Sequence, residues 1–361
     1  MLYFLAPLSD VSIIFNLFRY ITFRSAGASI TAFLFCLLAG PPIIRALERI
    51  NITAHQKREH AEALHKLYSG KKNVPTMGGI LIVASVLTSM FFWGNFTNRF
   101  VWILLFVMTA FAVVGFFDDW IKLKSKSSRG LSARMKFYGQ LIIGLLLGLY
   151  LYFDPNFDLR LHVPFLKAET LSFGLFFIPF VVFVLVGTSN ALNLTDGLDG
   201  LAIGCMLFCI GAFSIVSYIV GHAEFARYLS ISHIPEAGEI TVFCSALVGA
   251  SAGFLWYNSY PAQVIMGDTG SLSLGGALGA VAVLIKKELM LVIVGGVFVW
   301  EALSVILQVT SFKLTKKRIF LMSPFHHHLQ LKGWPESKVT VRLWIIALIL
   351  AVAGLSTLKV R

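Results

Sequence analysis

Long apolar runs alternate with short polar connectors along almost the whole chain. The runs fall near residues 29–48, 77–94, 100–117, 136–153, 172–191, 200–220, 240–257, 270–286, 289–312 and 341–358. Each approaches the roughly 20 apolar residues that a membrane-crossing helix needs, and each is too long for a buried strand. The pattern predicts an all-α polytopic integral membrane protein with about ten transmembrane helices, forming one transmembrane domain over residues 1–361. Residues 1–24 are apolar but interrupted by Pro7, Asp10, Arg19 and Arg24, which suits an interfacial segment better than a further span. Glycines and prolines inside the runs, such as Pro41-Pro42 and Gly275-Gly276, are expected at kinks and close helix contacts.

Charge gives the runs a direction. Two in three of the 30 Lys and Arg residues fall in the connectors after the first, third and ninth runs. The connectors after even-numbered runs hold few, among them Arg99, Arg160, Lys167, Arg227, Lys286 and Lys287. The positive-inside rule makes the basic connectors cytoplasmic and puts both termini on the periplasmic side. It also accounts for the net charge of +12, so nucleic-acid binding is not expected. Only 13% of residues are charged against 57% hydrophobic, which excludes intrinsic disorder and an ordinary soluble domain. The four cysteines, Cys36, Cys205, Cys209 and Cys244, all lie inside apolar runs. They show neither zinc spacing nor a disulfide framework. No removable signal peptide is expected.

Five segments break the membrane composition: 71–79, 118–130, 190–200, 258–271 and 323–336. Each sits in or beside a connector that follows an odd-numbered run, so all five reach the same membrane face. Asp118 and Asp119 close the third run, with Lys122 and Lys126 one and two helical turns on. A charged side chain at the bilayer centre costs about 2.5–3.5 kcal/mol, so a helix end is the tolerable depth. Adjacent carboxylates beside a basic ridge suit Mg²⁺ with phosphate, although a solvated helix end with i,i+4 pairs gives the same pattern. Asn190, Asn193, Asp196 and Asp199 recur every third residue, with Gly197 and Gly200 among them. They either share a helix face or mark a break in the backbone, and they are too many to serve as caps alone. In Met-Gly-Asp-Thr-Gly-Ser, Asp268 stands between glycines that allow close backbone approach; an ordinary N-cap is the simpler alternative. Contiguous His326, His327 and His328 lack zinc spacing and fit phosphate or sugar contacts better. Lys71, Thr76 and Gly78-Gly79 precede a helix start, where an anion can bind. A Walker A sequence and a Rossmann glycine fingerprint are both absent, leaving no support for a nucleotide-hydrolysing pump or a dinucleotide enzyme.

Read in order, Phe-Asp-Asp-Trp-x-Lys (117–122), Asn-x-x-Asn-Leu-Thr-Asp-Gly-Leu-Asp-Gly-Leu (190–201), Met-Gly-Asp-Thr-Gly-Ser-Leu (266–272) and Pro-Phe-His-His-His (324–328) resemble the polyprenyl-phosphate phospho-sugar transferases. Pro-Thr-Met-Gly-Gly (75–79) and the Leu-Lys-Gly-Trp after the histidines resemble the branch of that family whose donor sugar carries a peptide. The resemblance implies transfer of phospho-MurNAc-pentapeptide from UDP-MurNAc-pentapeptide to undecaprenyl phosphate, giving lipid I and UMP. It implies a requirement for Mg²⁺, a bacterial cytoplasmic-membrane location with the site facing the cytoplasm, and a homodimer. Carried onto matching positions, it assigns Mg²⁺ to Asp268 and places Asp118 and Asp119 at the lipid phosphate or the metal. Lys122 and Lys126 would hold phosphates. Lys71, Thr76, Asn190, Asn193, Asp196, Gly197, Leu198, Asp199 and Asn258 would line the uridine and diphosphate pocket, with Gln308 and His326 to His328 toward the sugar. Ile265 stands where the family commonly has an aromatic residue to stack on uracil. The competing readings are a sibling transferase using UDP-GlcNAc and a secondary transporter, whose site would lie near the midplane.

Overall fold

A computed structural model describes residues 2–10, 12–50, 74–125, 130–162 and 170–359. All ten apolar stretches are helical. The helices are α1 (Ile21–Arg49), α2 (Gly79–Trp93), α3 (Arg99–Lys124), α4 (Ala133–Phe153), α5 (Phe177–Thr195), α6 (Leu201–Gly221), the short α7 (Ala223–Tyr228), α8 (Ala237–Asn258), α9 (Gly267–Leu284), α10 (Glu288–Val294), α11 (Gly296–Thr315), α12 (Phe325–Leu331) and α13 (Glu336–Ser356). A short antiparallel pair, β1 (Arg160–His162) and β2 (Thr170–Ser172), joins α4 to α5 with Leu161 opposite Leu171. Eight of the described helical segments are long and apolar enough to cross a membrane, and α2 is a shorter apolar helix. The protein is therefore an all-α, multi-pass membrane protein.

The ninth apolar run is not one helix. Gly295 separates α10 from α11, because two consecutive glycines supply no side chain to hold the helical backbone there. Helix starts elsewhere follow their local sequence. The Asn98 side chain accepts from the Phe100 N–H at 2.8 Å, and Ser132 accepts from the Met135 N–H at 3.3 Å.

Helix α9 is the axis of the bundle. Every residue from Thr269 to Leu284 is buried, and α9 packs against α3, α5 and α2. A helix apolar on all sides belongs inside a bundle rather than against lipid. Glycines bring its neighbours to backbone contact. A side chain at Gly79 would meet the backbone of Gly270, and one at Gly115 would meet the backbone of Asp268. Helix α1 packs chiefly on α8, α6 on α8, and α13 on α6.

Arg24 departs from the expected interfacial segment. Two 3₁₀ segments, Leu2–Asp10 and Ile13–Arg19, precede α1, and Arg24 lies within α1, buried to 2% exposure. Its guanidinium makes a two-pronged pair with Glu239 of α8, at 2.8 and 2.5 Å, and reaches the Trp93 carbonyl at 3.3 Å. The Asn95 N–H donates to the same carboxylate at 3.3 Å. The charges are tolerated because each has a partner. Lys359, near the chain's end, donates to the Tyr228 hydroxyl at 2.6 Å. Tyr228 lies in the connector leading to α8, so Arg24 and Lys359 lie at the same end of the bundle.

Arg24→Leu leaves Glu239 buried and unpaired, so destabilisation of about 3–5 kcal/mol is expected. Joint replacement, Arg24→Leu with Glu239→Leu, should recover most of it, as measured by thermal unfolding of the detergent-purified protein.

Candidate active site

At the other end of the bundle the polar segments converge. Asp118 and Asp119 occupy the last turns of α3, and Asp268 occupies the first turn of α9. Carboxylate oxygens of the three lie within 4.8 Å of one another, a group that could hold a metal ion.

Each carboxylate has a different job. No side chain of α9's own approach caps its N-terminus; the residue before it is Met266. Asp119 does so from α3. It accepts from the Thr269 N–H at 2.9 Å, the Thr269 hydroxyl at 2.8 Å and the Asp268 N–H at 3.2 Å. Asp118 pairs with Lys122 one turn on and accepts from the Leu131 N–H at 2.8 Å. Asp268 Oδ2 receives Lys122 Nζ at 2.9 Å and Lys136 Nζ at 2.7 Å, while its Oδ1 accepts from Asn193 Nδ2 at 2.7 Å. Gly267, at φ +74°, makes the left-handed step that turns the chain into α9.

The asparagine–aspartate series does not form one face. Helix α5 ends at Thr195, Asp196 follows as its cap, and Gly200 at φ +72° starts α6. Asn193 therefore points at Asp268, whereas Asn190 donates to Gln140 of α4 at 2.7 Å. Asp196, partly exposed, lies near the Gly267 amide; desolvation, with Asp268, Asp119 and Asp199 nearby, pushes its carboxyl up to about 8. Asp199 accepts from the Ala262 N–H at 3.0 Å. Asn258 accepts from the Gly200 N–H at 3.1 Å and donates to the Val264 carbonyl at 2.8 Å. Gly197 and the buried Leu198 complete this turn.

The segment from Pro75 to Gly79 lies alongside residues 265–266. Ile265 N–H donates to the Pro75 carbonyl at 2.8 Å, Gly78 N–H to Ile265 at 2.9 Å and Gly79 N–H to Met266 at 2.8 Å. Thr76 consequently sits against Gly267. Lys71 and Lys126 lie outside the described residues.

The three histidines point in different directions. His326 is fully buried, packed against Gly197, with Nδ1 3.2 Å from the carboxylate of Glu301. His327 Nδ1 is 3.0 Å from Gln330 Oε1. His328 stacks on Phe325 and accepts from the Leu321 N–H at 3.1 Å; burial and then Lys332 lower its pKa. Gln308 does not reach the aspartates. It accepts from the Ile319 and Phe320 amides at 3.0 and 2.9 Å and donates to the Phe320 carbonyl at 3.0 Å, holding the loop before α12.

Sequence reasoning singled out neither Lys136 nor Glu301 as a site residue. Lys136 stands at the edge of an apolar run, where a basic residue is ordinary. Glu301, a carboxylate inside an apolar run, carried the usual signal of a functional intramembrane charge.

The pattern of the family described as glycosyl transferase family 4 matches residues 101–286. That interval takes in Asp118, Asp119, Lys136, Asn193 and Asp268. Among full-length relatives, the phospho-N-acetylmuramoyl-pentapeptide-transferase of Thermodesulfovibrio yellowstonii is 50% identical over 360 residues, 99% of each chain. Those of Desulfatibacillum aliphaticivorans and Desulforapulum autotrophicum are 51% and 49% identical, again over 99% of each chain. The helical bundle and these likenesses define a multi-pass bacterial membrane enzyme of the transferase class. The chain belongs to glycosyl transferase family 4, and within it to the phospho-N-acetylmuramoyl-pentapeptide-transferases.

Because Gly115 abuts the Asp268 backbone, Gly115→Ala should part α3 from α9. Overpacking of this kind costs about 1–3 kcal/mol. Turnover should fall while membrane insertion persists, checked by comparing activity with the amount of protein recovered from membranes.

Proposed function

We propose that the chain transfers phospho-MurNAc-pentapeptide from its UDP carrier to undecaprenyl phosphate, releasing UMP, with Mg²⁺ held at Asp268 beside Asp118. The observation that carries this reading is the meeting of Asp118, Asp119 and Asp268 with Lys122 and Lys136 at a helix end, in a chain about half identical to enzymes named for that donor group. Carboxylates and lysines of this kind suit a diphosphate shared with a small hard cation. When bound, Mg²⁺ would neutralise charge on the diphosphate.

The chain's own groups divide the remaining work. Lys122 and Lys136 lie within reach of phosphate oxygens around Asp268 and offset charge as the leaving group departs. Asp119, committed to the amides of α9, keeps Asp268 in place. Asp118 orients the acceptor phosphate. A lipid-phosphate oxygen attacks the β-phosphorus directly; the bond from that phosphorus to the bridging oxygen breaks, and UMP leaves with the electron pair. Asp196, Gly197, Leu198, Asp199, Asn258, Thr76 and Lys71 serve the nucleotide side, with Asn190 and Asn193 nearby. Gln308, His327 and His328 shape the sugar side through the segment before and within α12, while the buried His326 bears on the donor through Gly197. The abundance of basic residues in the connectors on this side supports a cytoplasm-facing site in the inner membrane.

Purified protein given UDP-MurNAc-pentapeptide, polyprenyl phosphate and Mg²⁺ should release UMP and form the lipid-linked product. Asp268→Asn should lower turnover by about 10²–10³-fold, the scale of losing one electrostatic contact to the transition state. Chelation should stop the reaction and Mg²⁺ should restore it. Rapid quenching without acceptor should trap no phosphorylated enzyme; a trapped aspartyl-phosphate overturns direct attack.

A further inference from the structure

The turn between α5 and α6 is gripped by residues between 301 and 344, beyond the stretch matched by the family pattern. Glu336, Thr340 and Trp344 lie one helical turn apart along α13, so they share a face. Glu336 Oε1 accepts from the Asp199 N–H at 2.8 Å, the Thr340 hydroxyl donates to the Asp199 carbonyl at 3.4 Å, and Trp344 Nε1 donates to the Gly200 carbonyl at 3.1 Å. All three bonds go to the backbone of two consecutive residues of one turn. The Trp344 ring fits because Gly204, one turn into α6, has no side chain to meet it.

A second hold comes from the other direction. The His326 ring packs against Gly197, where a Cβ would collide with it. His326 is in turn fixed by Glu301, whose carboxylate accepts the His326 backbone N–H at 3.2 and 3.3 Å. Both side chains are wholly buried, so His326 acts through Gly197 rather than by reaching out to a ligand. Gly197 and Gly200 bracket a backbone with unusual freedom, and Gly200 already adopts φ +72°. A turn of that composition loses much entropy on ordering unless its neighbours order it beforehand.

We propose that Glu336, Thr340 and Trp344, with Glu301 acting through His326, are positioning residues that preorganise the Asp196–Gly200 turn for the nucleotide donor. The inference rests on the reading that this turn serves the donor. None of the five touches the reacting atoms; their effect is on donor binding.

The test uses the full-length protein in detergent. Glu336→Leu removes the acceptor for the Asp199 amide, whereas Glu336→Gln retains a carbonyl that can accept it. Loss of a bond from an amide to a carboxylate should raise the KM for UDP-MurNAc-pentapeptide about tenfold. The KM for polyprenyl phosphate should stay unchanged, and amide hydrogen exchange at Asp199 and Gly200 should quicken. Glu336→Gln should restore both readouts, and Trp344→Phe should quicken exchange at the same turn. Wild-type exchange in Glu336→Leu, an equal rise in both KM values, or a Gln variant as defective as Leu overturns the clamp. Faster exchange with an unchanged donor KM leaves the clamp standing but overturns its link to the donor, and with it the donor reading of the turn.

Discussion

Much of this molecule's geometry follows from one requirement: a helix that begins inside the protein must have its first amides satisfied. Helix α9 is buried along nearly its whole length and brings no capping side chain of its own. Unpaired amides at such a buried start are expensive. Asp119, delivered by a different helix, satisfies two of them and a hydroxyl besides. The same contact brings Asp268 beside Asp118, so the carboxylate cluster follows from how α3 locks onto α9. Glycine at positions 79 and 115 is the steric condition for that lock, since backbone can then lie on backbone.

Three carboxylates so close together repel one another, and the surrounding cations answer that repulsion. Lys122 comes from the same helix as Asp118 and Asp119, and Lys136 comes from α4; their ammonium groups meet at one oxygen of Asp268. Asn193 takes the other oxygen and also donates to Ser271 at 2.8 Å. One turn deeper, Asn190 and Gln140 repeat the α4–α5 link with neutral amides. Along this seam between α3, α4, α5 and α9 the charged groups lie at the helix ends, and uncharged hydrogen bonds continue it into the bundle.

The helices were legible in the sequence because lipid imposes a length and a composition that few other environments share. The aspartate motifs were legible for the complementary reason, since carboxylates interrupting apolar runs need an explanation. What could not be read was direction. His326, His327 and His328 are adjacent in sequence, yet a short helix sends their rings to Gly197 and Glu301, to Gln330, and to Phe325. Gln308 resembles a ligand contact but braces a loop, which only its amide partners at 319–320 reveal. Lys136 was hidden because a lysine at the edge of a span is ordinary, and its partner is 132 residues away. The division of the ninth run at Gly295 depends on what packs around a permissive pair of glycines, which periodicity does not encode.

The pairing of Arg24 with Glu239 imposes an order on biogenesis. The two residues are separated by 215 positions, so at about 5–20 residues per second the ribosome needs about 10–40 s to supply the carboxylate. Throughout that interval the first helix carries an arginine whose partner does not yet exist. It must linger where water or lipid headgroups can solvate the guanidinium, and it can settle against α8 only after two thirds of the polypeptide has been made. Assembly of this bundle therefore closes late, around a helix that entered first.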